Sequence, residues 1–373
     1  MNRSPQAGPP DPARCAGPSD PARCAGTPSA RRWPRASLRA SALAALATGV
    51  LIAACAGSGG TGDGHAAGPS SPATPSASPR PSPPVRLPVG MLGRYAVAEQ
   101  SLTIVDRSRP RLGPRVIPTA VRYPVIPAAA ASATLARGLF PLVVFAPGYR
   151  QCDRSYRFLL HEWASAGYVV AAVEFPRTNC HVSAPDESDL VNQPGDVSGV
   201  IRRLVAISRR AHGPLAGLVN PAQIGVAGHS DGGDTVAAVA ANTCCRDHRV
   251  AAAVVLAGAE WPPMPGRYFA RPAPPMLVVQ GTDDTWNPPQ TSKQLYRADT
   301  VGPRYYLDLF GADHFTPYEG RGAPEPIVAQ VTTDFLNRYL AGQRPAAAAM
   351  RRAGQVAGVA ALATAGHLPR NKG

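Results

Sequence analysis

Residues Gly228-His229-Ser230-Asp231-Gly232 have the pattern G-x-S-x-G and give the strongest indication of the fold. An apolar, β-prone segment of strand length, 223–227, precedes it, and an alanine-rich segment that favours helix, 234–241, follows it. A serine at a sharp strand-to-helix turn exposes its Oγ at the end of the strand. The flanking glycines allow the close backbone approach and the strained dihedral angles of such a turn. The pattern alone is common, but strand, turn and helix in this order predict a nucleophilic Ser230.

Partners for this serine follow it in the chain. A serine hydroxyl needs a base to remove its proton, and the base needs an orienting carboxylate. Asp284 follows the predicted strand 275–280, and His314 follows the predicted strand 304–310. Open α/β sheets keep their sites at the carboxyl ends of strands. We therefore predict His314 as the base and Asp284 as the acid.

These residues give the chain a family resemblance. It resembles an α/β-hydrolase of the serine esterase and lipase group, in the branch of platelet-activating-factor acetylhydrolases, chlorophyllase-like enzymes and cutinase-like polyester hydrolases. The resemblance covers roughly residues 93–340 and implies a mostly parallel central sheet with helices on both faces. The matching segments are Asp106-Arg107-Ser108-Arg109-Pro110, the strand ending Tyr123-Pro124, Phe145-Ala146-Pro147-Gly148-Tyr149, and the acid loop Gly281-x-x-Asp284 closed by Pro288.

Other carboxylates compete with Asp284 for the role of acid. Asp283 is the nearest rival, but the G-x-x-D spacing of the family favours Asp284. Asp308 lies inside a predicted strand, and Asp313 is too close to His314 in sequence to orient it easily. Taken singly, each triad residue could also be an ordinary turn or loop residue. His229 is interpreted as a buried, hydrogen-bonded structural residue and not as a base.

The resemblance also implies an oxyanion hole made by the backbone N–H groups of Asp231 and Tyr149. Family members more often carry Met, Gln, Phe or Arg at the position of Asp231, where only the N–H is needed. A carboxylate there disfavours long apolar acyl chains. Tyr149, Trp286 and Trp261 are candidates for an aromatic wall that binds the substrate, and core packing is the alternative for each tryptophan.

The N-terminal region carries an export signal. Four arginines precede an apolar run over residues 40–54, which is too short to span a bilayer and suits a signal peptide. The run ends Leu51-Ile52-Ala53-Ala54-Cys55, which resembles the bacterial lipobox. The resemblance implies that Cys55 is lipidated and anchors the protein on the outer side of the cytoplasmic membrane, and secretion without an anchor is the alternative. Residues 56–88 are rich in Gly, Ser and Pro and predict a disordered tether.

Composition and cysteine usage limit the remaining possibilities. The formal charge is +14, but the arginines are scattered, which argues against a nucleic-acid partner. No ligand spacing typical of a metal site occurs, so no metal or cofactor is expected. Four cysteines in the domain fit an oxidising compartment. Parallel neighbouring strands would bring Cys152 and Cys180 together as a disulfide, whereas the pairing of Cys244 and Cys245 stays open.

The sequence thus predicts one catalytic domain over 89–342, followed by an alanine-rich tail over 343–373. Only about twenty residues separate the strand 250–256 from the next one, which leaves no room for a cap domain. We predict an extracytoplasmic serine carboxylester hydrolase that acts through an acyl-enzyme. The alternatives are a phospholipid or platelet-activating-factor-type acylhydrolase or lipase and, in a different class, a catalytically silent binding lipoprotein. The oligomeric state stays open.

Overall fold

The computed structural model describes residues 87–126, 139–300, 302–320, 322 and 324–364. The signal peptide and lipobox predicted over 1–55, with Cys55, lie outside these residues. So do most of the predicted tether and the last nine residues of the chain. Among the described residues, every helix is too short or too polar to span a bilayer.

The described residues form ten strands and six α-helices, with short 3-10 turns between some of them. The strands are β1 (Val97–Asp106), β2 (Arg115–Pro124), β3 (Phe140–Ala146), β4 (Val169–Val173), β5 (Val219–His229), β6 (Val250–Leu256), β7 (Met276–Gly281), β8 (Arg304–Leu309), β9 (Gln355–Val356) and β10 (Ala360–Thr364). The helices are α1 (Arg157–Ser165), α2 (Gln193–Ser208), α3 (Asp231–Ala241), α4 (Pro289–Ala298), α5 (Pro324–Tyr339) and α6 (Ala346–Ala353).

The strands form one mixed sheet in the order β1-β2-β4-β3-β5-β6-β7-β8-β10-β9. The neighbours from β4 to β8 in this order are parallel, while the outer pairs at both edges are antiparallel. The central strands are apolar and buried along their length, as expected for a parallel sheet covered on both faces. The predicted mostly parallel α/β sheet is therefore confirmed.

The hydrophobic core lies in two layers, one on each face of the sheet. Because successive strand residues point to opposite faces, Leu142 and Val144 of β3 join one layer and Val143 and Phe145 join the other. Buried residues of α2, α3 and α4 complete the first layer, and those of α1, α5 and α6 complete the second. The arrangement holds β5, β7 and β8 parallel, so the loops after these strands lie at one edge of the sheet.

The chain after Gly342 differs from the predicted tail. Its residues 346–364 form α6, β9 and β10, and β10 pairs antiparallel with β8. Met350 and Leu362 are buried in the same layer as α5. The pairing covers what would otherwise be the open edge of β8, so the packed domain extends past residue 342. Alanine-rich segments carry little periodic signal, which explains why the pattern alone missed these elements.

The connection between β6 and β7 begins at the carboxyl edge of the sheet. Residues 257–275 run through turns and contain no α-helix, with one isolated bridge between Asn242 and Tyr268. This edge of the sheet therefore carries no helical insertion at that connection.

Candidate active site

Ser230 lies at the turn between β5 and α3 in a strained conformation. Its φ of 55° and ψ of −126° are rare for a residue with a side chain, and such conformations persist at functional sites. The turn is held because the Ser230 N–H donates to the Leu256 carbonyl (2.9 Å). A Cβ on Gly228 would collide with the Gly232 carbonyl, and one on Gly232 would collide with the Ala146 carbonyl. Glycine is thus required at both positions of the pattern for steric reasons.

The loops after β7 and β8 bring Asp284 and His314 into contact. The His314 Nδ1–H donates to Asp284 Oδ2 at 2.7 Å, and both side chains are buried. Asp284 also accepts hydrogen bonds from Gln280 Nε2 (2.8 Å) and from the backbone N–H groups of Trp286 (2.9 Å) and Asn287 (2.8 Å). This arrangement fixes the tautomer of His314 and leaves its Nε2 available as a base.

Asp284 is held in its ionised form. Burial by itself raises the pKa of this carboxyl, but the hydrogen bonds from His314 and Asn287 outweigh burial and lower the pKa below its ordinary value. An ionised Asp284 can orient His314 and stabilise the imidazolium that forms when His314 takes a proton.

The rival carboxylates are placed elsewhere. Asp283 is exposed and contacts Thr282. Asp308 lies within β8, 3.9 Å from Lys293. Asp313 accepts hydrogen bonds from the backbone N–H groups of the two residues after His314. Of the acids considered from the sequence, Asp284 is therefore the one whose side chain is hydrogen-bonded to that of His314.

His229, directly before Ser230, connects three parts of the site. Its Nε2–H donates to the His314 carbonyl oxygen (2.8 Å), and its Nδ1 accepts from the Tyr156 hydroxyl (2.9 Å). The Tyr156 oxygen in turn accepts from the Gly148 N–H (3.1 Å). Burial and the neighbouring His314 lower the pKa of His229 to about 3, so it stays neutral. The interpretation of His229 as a buried structural residue is confirmed.

Tyr156 is a site residue that sequence reasoning missed. It is fully buried between α1 and the sheet, and its ring packs 4.7 Å from that of Phe145. A lone tyrosine before a helix has no pattern that distinguishes it from a core residue. The only available signal was the polar His229 inside an apolar strand, because a buried imidazole requires hydrogen-bond partners.

The proposed oxyanion-hole residues flank Ser230. Tyr149 follows β3, which pairs in parallel with β5 up to Ala146 and Gly228. A Cβ on Gly148 would lie 3.1 Å from the Ser230 Cβ, so the loop after β3 passes directly beside Ser230. Asp231 is the first residue of α3, where a backbone N–H has no acceptor within the helix. Both N–H groups thus belong to segments next to Ser230.

A disulfide holds the loop that carries Tyr149. Cys152 and Cys180 are bonded to each other, with their Cα atoms 5.5 Å apart. The same two segments are joined by the Arg150 N–H, which donates to the Thr178 carbonyl at 2.7 Å. Cys244 and Cys245, which are adjacent in the chain, form a second disulfide bond.

A cavity of about 310 Å³ opens beside Ser230. It is lined by Gly148, Tyr149, Gln151, Glu187, His229, Ser230, Asp231, Trp286, Asn287, His314 and Phe315. Trp286 is 72% exposed, and its ring stacks at 24° to that of His314, with centroids 6.3 Å apart. Trp261 is not among the lining residues, because it packs with Leu190 and Met264 in a separate cluster. The structure therefore brings Tyr149 and Trp286 to the site but not Trp261.

A mostly parallel sheet with a serine elbow at its carboxyl edge is the architecture of an α/β-hydrolase. The sequence of residues 128–346, more than half of the chain, matches the PET hydrolase-like family. The chain belongs to this family, and it is a hydrolase of ester bonds. Comparison with curated protein sequences gave no match.

Proposed function

We propose that the protein is a serine carboxylester hydrolase that forms an acyl-enzyme on Ser230. The observation that carries the proposal is the strained Ser230 elbow beside the buried pair of His314 and Asp284, joined at 2.7 Å. In this mechanism Ser230 Oγ attacks the ester carbonyl carbon while His314 Nε2 takes its proton. Asp284 holds the imidazole and stabilises its charged form.

The tetrahedral intermediate then collapses. The N–H groups of Tyr149 and Asp231 stabilise its oxyanion, and loss of one such donor typically lowers the rate by about 10²–10³-fold. His314 gives its proton to the departing alcohol, which leaves the acyl group on Ser230. A water molecule then loses a proton to His314 and attacks the acyl carbonyl carbon. The bond from that carbon to Ser230 Oγ breaks, His314 returns the proton to Ser230 Oγ, and the carboxylic acid is released.

The open shape of the site favours bulky esters, including segments of a polymer. The exposed Trp286 ring forms one wall, and no helix covers the site from the β6–β7 connection. The family match to PET hydrolase-like proteins supports a polyester as one substrate. A lipase or phospholipid acylhydrolase is the second candidate, but the Asp231 carboxylate in the cavity disfavours long apolar chains.

The test uses a fluorophosphonate probe and p-nitrophenyl esters from acetate to palmitate. The folded wild-type protein should be labelled and should hydrolyse the shorter esters, whereas Ser230→Ala should do neither. Absence of labelling in the folded wild type refutes the enzyme proposal and favours a silent binding lipoprotein. Highest activity on palmitate would instead favour a lipase.

We also propose that the protein is exported and anchored through Cys55, on the sequence evidence alone. Metabolic labelling with palmitate tests this proposal. The wild-type protein should incorporate the label, and Cys55→Ala should not. A soluble, unlabelled wild-type protein in the medium would support secretion instead.

A further inference from the structure

The cavity at Ser230 is acidic. Two carboxylate side chains line it, Glu187 and Asp231, and the lining includes no lysine or arginine. Neither carboxylate is in an ion pair with another side chain among the residues described by the structure. An ester that enters this cavity therefore meets negative charge with no compensating cation from the protein.

Asp231 is the inner carboxylate, and one of its oxygens, Oδ2, is buried without a hydrogen-bond partner in the described structure. Burial, together with the charge of Glu187, raises the pKa of Asp231 to about 6, and His314 opposes this rise. The nearby Asp234 does not compete for a ligand, because it is fully buried, its pKa is raised well above the ordinary value by burial, and it accepts from the Ala259 N–H (2.6 Å). Asp231 is thus ionised at pH 8 and lacks a counterion.

Glu187 is the outer carboxylate, and it belongs to a well-anchored segment. Two residues further along, Asp189 forms two hydrogen bonds of 2.7 Å with the buried guanidinium of Arg115. The preceding Asp186 side chain accepts from the Ser188 N–H (3.1 Å). Paired charge-assisted bonds of this kind fix the backbone of this segment, and the Glu187 side chain is exposed at the rim of the cavity. The dipole of a helix favours an acidic side chain in its first turn, which by itself would explain Asp231 at the start of α3. Glu187 does not belong to α3, so the same explanation does not apply to it.

Aromatic rings complete the surroundings. Tyr149, Trp286 and Phe315 all line the same cavity, and the Trp286 and Phe315 rings lie 5.7 Å apart. Aromatic faces attract ammonium groups within about 6 Å of their centres, and quaternary ammonium groups are commonly bound by aromatic rings. Carboxylates and rings around one cavity therefore favour a cation over both a neutral and an anionic group.

We propose that the site selects esters that carry an ammonium group near the scissile carbonyl, with Asp231 and Glu187 as the residues that determine this specificity. The inference rests on the proposed ester hydrolysis and deepens it by naming the substrate class. An anionic acid, such as the half-ester product of a terephthalate polyester, should bind poorly for the same reason.

The test compares esters that differ in charge but not in shape. On the acyl side, p-nitrophenyl 4-(trimethylammonio)butanoate is paired with neutral p-nitrophenyl 5,5-dimethylhexanoate. On the alcohol side, acetylcholine is paired with 3,3-dimethylbutyl acetate. The readout is the ratio of kcat/KM within each pair at pH 8, after subtraction of spontaneous hydrolysis, so that changes in catalysis common to both esters cancel.

The wild-type protein should prefer the cationic ester by about 10-fold in at least one pair, because attraction of the ammonium group to the aromatic faces and carboxylates is expected to contribute about 1.4 kcal/mol. Asp231→Asn and Glu187→Gln should each lower that ratio, whereas Asp283→Asn, which removes an exposed charge outside the cavity, should not. The preference should also decline below pH 6 as Asp231 is protonated; the titratable groups that interact with Asp231 are Glu187, His314, Asp234 and Tyr156.

The possible outcomes separate the two proposals. Hydrolysis of all four esters with ratios near one in the wild type refutes the specificity proposal and leaves ester hydrolysis intact. A preference that survives in both cavity variants also refutes it. Failure to hydrolyse any of the four esters, together with no fluorophosphonate labelling, refutes the proposed function on which the inference rests.

Discussion

Tyr156→Phe tests how the site is held together. The substitution removes one hydroxyl and keeps the ring that packs against Phe145. It breaks two buried hydrogen bonds, from the Gly148 N–H (3.1 Å) and to His229 Nδ1 (2.9 Å). A change of tautomer at His229 would not compensate, because it would remove the Nε2–H that donates to the His314 carbonyl oxygen. Each buried group left without a partner costs about 1–3 kcal/mol, so the free energy of unfolding should fall by about 2–6 kcal/mol.

Activity should fall as well, because the lost hydroxyl joins the Tyr149 loop to the His314 loop. Complete loss of an oxyanion donor costs about 10²–10³-fold, so a displaced donor and base should lower kcat by about 10-fold. The measurements are denaturant unfolding followed by tryptophan fluorescence, and p-nitrophenyl acetate kinetics, both on the disulfide-bonded protein.

Tyr168→Phe is the matched control for this substitution. It removes another buried tyrosine hydroxyl, which donates to Asn337 Oδ1 at 2.6 Å, between α5 and β4 and away from the cavity. It should lower stability without changing kcat. An unchanged kcat in Tyr156→Phe, with no greater loss of stability than in Tyr168→Phe, would refute the connecting role of this hydroxyl.

Three further predictions concern the acid, the buried histidine and the disulfide. Asp284→Asn should lower kcat for p-nitrophenyl acetate by about 10⁴-fold in a folded protein, and a loss below tenfold would exclude Asp284 as the orienting acid. His229 has a folded pKa near 3 against 6.5 in the unfolded chain, so its neutral form stabilises the fold above pH 6.5 and this contribution is lost as the pH falls toward 3. As the pH is lowered, the free energy of unfolding should therefore decline less steeply in His229→Gln than in the wild type. Parallel curves for the two proteins would contradict the reasoning. Replacing Cys152 and Cys180 by serine opens a loop of 28 residues, which should lower the unfolding free energy by about 3–4 kcal/mol, and an unchanged denaturation midpoint would contradict this.

Residues near one another along the chain explain most of what could be predicted. The strand, turn and helix around Ser230 follow from local hydrophobicity and from two glycines whose missing side chains the turn requires. Asp284 and His314 could be named because each follows a recognisable buried strand, and parallel strands end at one edge. The alanine-rich chain after residue 342 was missed, because burial of its small side chains depends on the position of β8.

Hydrolysis of ester bonds could be predicted from the chain alone, because Ser230, Asp284 and His314 follow predictable strands in the order expected for a catalytic triad. The surroundings of these three residues depend on long-range packing and could not be predicted. The tertiary structure joined Tyr156 to His229, brought Glu187 and Asp231 to the lining of one cavity, and placed Trp261 in a separate cluster. These contacts connect residues far apart in the chain, and packing between layers decides them, whereas local propensity does not.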